Sequence, residues 1–197
     1  MSRRKLMNLG LAMNNFAHTR GRYPAAAIRK DGKPLLSWRV ALLPFLEQQA
    51  LYNKFHLNEP WDSPHNKALL DQMPDVYAPV TPAEQESKHS TTYQVFAGPG
   101  ALFGGDEGAS LGEIKDNVNL TIMIVEVARP VPWTKPEDLP FDKEKPLPEL
   151  VGPFKDGFHV LMAGGVVRFL RQQLKPEVLR ALITPNGGEA LSFNDLK

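Results

Sequence analysis

The side chains with chemistry to offer are a few histidines, carboxylates and tryptophans, and their spacing decides what they could do. Of the five histidines, His18, His56, His65, His89 and His159, only His56 and His65 lie close in the chain. They fall in residues 55–65 (FHLNEPWDSPH) with Asp62 between them. Two imidazoles and a carboxylate are the donor set of a two-histidine, one-carboxylate metal site. The spacing of His56, Asp62 and His65 matches no standard metal site, and Asp62 ahead of Ser63-Pro64 reads better as a helix cap beside a first-turn proline. Gly104-Gly105-Asp106-Glu107-Gly108 carries two carboxylates but lacks the alternating oxygen ligands of a calcium loop. Gly98-Pro99-Gly100 is followed by no Lys-Ser/Thr at a helix start, so it is not a phosphate loop. Nucleophile elbows, dinucleotide fingerprints and zinc-protease helices are likewise absent from the sequence. The residue types therefore point away from an enzyme, and no cofactor is expected.

Trp38, Trp61 and Trp133 are the residues best suited to grip a ligand, because aromatic rings line apolar and sugar-binding pockets. Trp133 sits in a proline-rich stretch, residues 130–140 (PVPWTKPEDLP), where a ring between prolines usually staples a loop to the core and otherwise serves as a binding platform. Cysteine is absent, which excludes a disulfide framework and a thiolate metal site.

These candidates need a scaffold, and 197 residues with 42% apolar content suit one domain. Residues 3–19 read as an amphipathic helix, with Leu6, Leu9, Met13 and Phe16 on one stripe and Gly21 and Pro24 ending it. That stripe docks on a sheet or serves as a partner surface. Ser37 caps a second helix through Leu43, which Pro44 kinks or restarts into a stretch reaching Tyr52. A third helix starts at Asp62-Ser63-Pro64. Beyond Pro74 the chain turns β-like: strands are expected over 91–96 and 120–127, and a hairpin over 158–170 around Gly164-Gly165. Prolines cluster in 130–153, where long ordered loops are expected, and Pro176 opens a last short helix. Helices first and antiparallel strands after is the α+β order.

Charge is uneven. Seven of the 23 basic groups fall in residues 1–30, which contain no Asp or Glu, leaving 16 basic against 22 acidic groups in the remainder. A basic start on an acidic body suits anionic lipid, nucleic acid or an acidic neighbouring subunit, or is simply a solvated helix start. The sequence contains no apolar run of about 18 residues and no signal-peptide core near its start. As written, the chain is expected to be soluble.

Several long segments, in order, resemble a large bacterial family of unknown function once catalogued as solute-binding protein family ten. They are residues 6–16 (LMNLGLAMNNF) with Gly21-Arg22-Tyr23-Pro24; residues 37–55 (SWRVALLPFLEQQALYNKF) with 59–70 (EPWDSPHNKALL); residues 120–128 (LTIMIVEVA) with 131–139 (VPWTKPEDL); and residues 159–170 (HVLMAGGVVRFL) with 179–189 (LRALITPNGGE). Members of that family carry a type IV prepilin leader and a carboxy-terminal His-x9-Asp-Gly signature. The resemblance implies a single pilin-like domain over 1–197. Residues 1–20 would form the second half of a pilin-type helix and residues 21–197 a globular head. The apolar first half would be a membrane anchor missing from this chain. Two departures stand out: the family histidine falls where Phe154 stands, and its Asp-Gly becomes Gly164-Gly165. Family cysteines align with Ser2 and Ala78, consistent with a lost disulfide.

The expected function is a non-catalytic envelope protein resembling a type IV pilin or type II secretion pseudopilin. Its partners would be other pilin-like subunits or secretion machinery, met through the first helix, with no nucleic acid. An extracytoplasmic module binding glycans or peptides through Trp61, Trp133 and Trp38 is the alternative, and a metal-dependent enzyme using His56, Asp62 and His65 the third reading.

Overall fold

A computed structural model describes residues 1–80, 88–104 and 106–196. Its first element is helix α1, Ser2–Arg20, closed by Gly21 in the left-handed region, whose N–H bonds the Ala17 carbonyl. A hairpin of β1 (Ala27–Lys30) and β2 (Lys33–Ser37) follows, turning at Asp31 and Gly32, both at positive φ. Asp-Gly between short extended runs is a strong hairpin signal, and the sequence carries it at residues 31–32.

Ser37 caps α2 (Trp38–Ala41) by accepting from the Arg39 N–H. Pro44 then sits in a 3₁₀ turn, Leu43–Leu46, and Glu47 at φ 60 separates it from α3 (Gln49–Tyr52). The expected continuous helix is therefore broken at Glu47. In α4 (Pro64–Lys67) the cap is Ser63, whose hydroxyl accepts from the Asn66 N–H. Asp62, expected to be the cap, is exposed beside it.

Four antiparallel strands form the main sheet in the order β3 (Ser90–Gln94), β5 (Ile122–Pro132), β7 (Gly157–Met162), β8 (Val167–Arg171). β5 runs further than expected, because Val131 and Pro132 pair with Thr91 and Ser90 beyond a bulge. Part of the proline-rich stretch is thus strand rather than loop. A small parallel pair of β4 (Phe96–Ala97) and β6 (Leu139–Pro140) sits beside it. Helix α5 (Pro176–Ile183) follows, and a 3₁₀ turn, Phe193–Leu196, comes last among the described residues. The element content is α+β, as the sequence order indicated.

The sheet is covered on both faces. One core joins Leu6, Leu9 and Met13 of α1 to Ile124, Leu161 and Val167 of the sheet, with Trp38 and Trp133. The other joins Val125, Phe158, Val160 and Leu170 to Val178 and Leu182 of α5. Alternation along β7 sends Leu161 to α1 and Phe158 and Val160 to α5, the period-2 rule at work.

Candidate functional site

The first helix is the element the sequence singled out, and its two sides differ sharply. Leu6, Leu9, Met13 and Ala17 are fully buried toward the sheet. Gly10 brings the helix close to β7, since a Cβ there would meet the Leu161 side chain at 3.0 Å. Phe16, expected on the buried stripe, lies at its rim instead. It is half-buried, with its ring 5.3 Å from Phe45.

Polar contacts pin α1 along its length. Ser2 Oγ donates to Glu126 Oε1 at 2.7 Å. Lys5, expected to be solvated, is buried; its ammonium donates to the carbonyls of Asp75 and Ala78 and pairs with the Asp75 carboxylate. Arg3 and Arg4 remain exposed. Near the carboxy-terminal end, Tyr23 Oη donates to Asn14 Oδ1 at 3.0 Å. On the outer side, Met7 is 53% and Leu11 65% exposed. Leu11 also borders a groove of about 360 Å³ with Phe45, Leu46 and Val76. Met7 and Leu11, one turn apart, thus form an exposed apolar pair beside that groove.

Glu126 anchors the start of α1 from inside the sheet. Its side chain is fully buried, and His159 Nδ1 lies 3.0 Å from Oε2. Burial pushes this carboxyl above the ordinary glutamate range, against the lowering pull of Ser2 and His159. A raised folded-state pKa means the proton is held more tightly in the folded chain. Its contribution to stability is therefore full below the ordinary value of about 4.5 and lost as pH rises through the raised one. Glu126→Gln, neutral throughout, removes that loss. Wild type minus Glu126→Gln in melting midpoint is expected to fall as pH rises from about 4.5 toward neutrality. Parallel midpoints over that range would contradict it.

The tryptophans fare differently from the ligand-gripping expectation. Trp38 and Trp133 have no exposed surface. Trp133 stacks on Tyr77 at 5.8 Å, meets Phe55 edge-on, and donates to the Leu70 carbonyl. Trp38 packs against Tyr77 and Phe103. Rings enclosed in this way staple segments together and present no face to a ligand. Trp61 alone of the three is partly exposed, with the Lys135 ammonium over its ring.

His56 and His65 do come together, stacked with ring centres 3.5 Å apart. Their polar partners are protein groups: His56 Nδ1 lies 2.9 Å from Glu59 Oε1, and His65 Nε2 donates to the Lys54 carbonyl. The carboxylate beside the pair is Glu59, not Asp62. Among the described residues no three His, Cys, Asp or Glu side chains are grouped to hold a metal ion. What organises the segment is Asn66, fully buried. Its Oδ1 accepts from the His56 N–H, and its Nδ2 donates to the carbonyls of His56, Glu59 and Pro60.

The feature sequence reasoning missed is a buried ion pair tying two of the motifs together. Arg39 of SWRV donates to Asp138 of the PEDL turn at 2.8 Å, with side chains 0% and 2% exposed. Arg39 also donates to the Tyr93 carbonyl and Ser37 Oγ. Asp138 Oδ1 further accepts from Trp38 Nε1 and the Val95 N–H. Tyr77 Oη donates to the Arg39 carbonyl, and burial pushes that phenol far above its ordinary range. The Asp106 and Glu107 carboxylates meet Arg29 and Arg22.

No helix among the described residues is long and apolar enough to cross a membrane. A family model described as a protein of unknown function (DUF1559), SBP_bac_10, matches residues 2–135. No curated protein and no solved structure matches the chain. The matched span holds α1, the Ser37–Arg39 turn, the Asn66-centred loop and the Trp133 staple, while the Phe154 and Gly164-Gly165 departures lie beyond it. With its first 135 residues matched almost throughout, the chain belongs to the DUF1559 (SBP_bac_10) family.

Proposed function

We propose that the protein is a non-catalytic, pilin-like subunit of the cell envelope, held at the membrane by an apolar stretch ahead of α1 and assembling through that helix. One observation carries this reading: α1 is built into the domain on one side and presents Met7 and Leu11 on the other. A helix whose inner face is core cannot swing away, so the head is carried wherever the helix is anchored. Its outer apolar pair then meets neighbouring subunits or secretion machinery. The antiparallel sheet beneath α1, in the order β3-β5-β7-β8, supports the same reading, since a helix laid on such a sheet is the pilin-like architecture that the sequence resemblance implies.

Fractionation of cells expressing the intact gene product tests it. Recovery with membranes or in sheared surface filaments is expected. Recovery as a free cytoplasmic protein would sink the proposal.

A further inference from the structure

Seven basic groups crowd residues 1–30, and the fold sorts them. Lys5 is buried on Asp75, Arg22 meets Glu107, and Arg29 meets Asp106. Arg3 and Arg4 stay exposed, their side chains making no hydrogen bond or ion pair with any described residue. What surrounds them follows from how α1 is laid. Ser2 and His159 both reach Glu126, Gly10 sits over Leu161, and Asn14 lies beside Gly165. The helix therefore runs along β7 in the strand's own direction. Gly157, two residues before His159, projects roughly 6 Å past the level of Ser2. Arg171 of β8 pairs with Gly157, and Phe154 bridges to it. The start of α1, the turn over 154–157 and the end of β8 thus share one end of the molecule.

That end carries cations and rings. Lys155 and Arg171 border a hollow of about 490 Å³. Both are exposed and, like Arg3 and Arg4, have no side-chain partner among the described residues. Gln172 in the same wall is taken up by Leu150 and Gly152, and Asp156 is the acid that stands with the two cations. Two residues before Arg171, Phe169 is 46% exposed on the edge strand, its ring 5.2 Å from His159 and 6.1 Å from Phe154. A lone exposed phenylalanine is ordinary. Here it joins a second ring and four unpaired cations, the basic and aromatic make-up of a surface that lies on a bilayer. We infer that this end of the domain is a contact surface for an anionic lipid bilayer. Arg3, Arg4, Lys155 and Arg171 meet headgroup phosphates, and Phe169 enters the boundary with the acyl chains. The inference rests on the function proposed above for its setting, because an anchor ahead of α1 turns this end toward the membrane.

Sedimentation of the chain itself with vesicles tests it apart from any anchor. Binding is expected to vesicles of phosphatidylcholine and phosphatidylglycerol in equal parts, weakened by salt, and not to phosphatidylcholine alone. Each cation near such a surface is worth about fivefold in partition. Arg3→Gln with Arg4→Gln, and Lys155→Gln with Arg171→Gln, should therefore each weaken binding at least about tenfold. Phe169→Thr, which keeps strand preference, should weaken it severalfold. Arg20→Gln with Lys30→Gln removes as much charge from exposed positions, Arg20 lying roughly 25 Å along α1 from Ser2. That pair should bind nearly as the parent does, and all these variants should keep the parent's melting midpoint. Free glycerol phosphate should not displace the vesicles. Equal binding to neutral vesicles, equal loss in the Arg20 and Lys30 pair, or indifference to the patch variants would each overturn the inference. So would a chain that ignores vesicles but binds poly-glutamate through Arg3 and Arg4, which would make this end a protein-docking surface. Absence of vesicle binding, with the intact product still recovered in membranes, would overturn this inference alone. Vesicle binding by a chain whose intact product is free in the cytoplasm would overturn the proposed function instead.

Discussion

Arg39→Met is expected to lower the unfolding free energy by about 3–5 kcal/mol, the range for removing one partner of a buried ion pair. Arg39 is fully buried, and its guanidinium meets Asp138, the Tyr93 carbonyl and Ser37 Oγ together. Methionine fills much of the space but donates nothing. Asp138 would then keep its charge with only Trp38 Nε1 and the Val95 N–H for support. Burial already raises the Asp138 carboxyl pKa against the pull of Arg39, so without Arg39 it will tend to take up a proton instead. Since domains possess roughly 5–15 kcal/mol in all, the single mutant will stand near the edge of folding. The double mutant Arg39→Met with Asp138→Leu should recover part of the loss, because replacing both partners with apolar groups leaves no unpaired charge. Urea denaturation midpoints measure both. A single mutant within about 1 kcal/mol of the parent would mean that the pair does not hold the two motifs together.

This pair also marks where sequence reading stops. Helix α1 was legible from its 3.6-residue apolar period, and the β7–β8 hairpin from two apolar runs around Gly164-Gly165. Both signals are local. Arg39 and Asp138 are 99 residues apart, and a charged residue in a proline-rich PEDL turn reads as solvated surface. The pairing of β4 with β6 helps bring that segment beside β3, and a two-residue parallel pairing has no sequence period to betray it. The prolines around Trp133 hinted at its role as a staple, whereas nothing beside Trp38 in the sequence marked it as buried. Their indole N–H groups find an aspartate and a carbonyl inside the core, so full burial leaves neither indole N–H unsatisfied.

The stripe on α1 was read correctly at Leu6, Leu9 and Met13 and one step too far at Phe16. A helical wheel gives the direction of a side chain but not how wide the covered face is. Phe16 lies at the rim of that face and pairs with Phe45 on the 3₁₀ turn instead. The larger stability effect on this helix therefore belongs to Leu9.

Leu9→Ala and Leu11→Ala, compared in one thermal melt against the parent chain, test most directly whether α1 is a layer of the domain with a free outer face. Leu9 is fully buried against the sheet, whereas Leu11, two residues on, is 65% exposed. A buried leucine cut to alanine costs about 2–5 kcal/mol, and a chain of this size loses roughly 2–4 °C per kcal/mol. Leu9→Ala should therefore melt on the order of 10 °C below the parent. Leu11→Ala, a surface change, should stay within about 2 °C of it. A Leu9→Ala midpoint that close to the parent, or a Leu11→Ala midpoint as low as that of Leu9→Ala, would contradict the account.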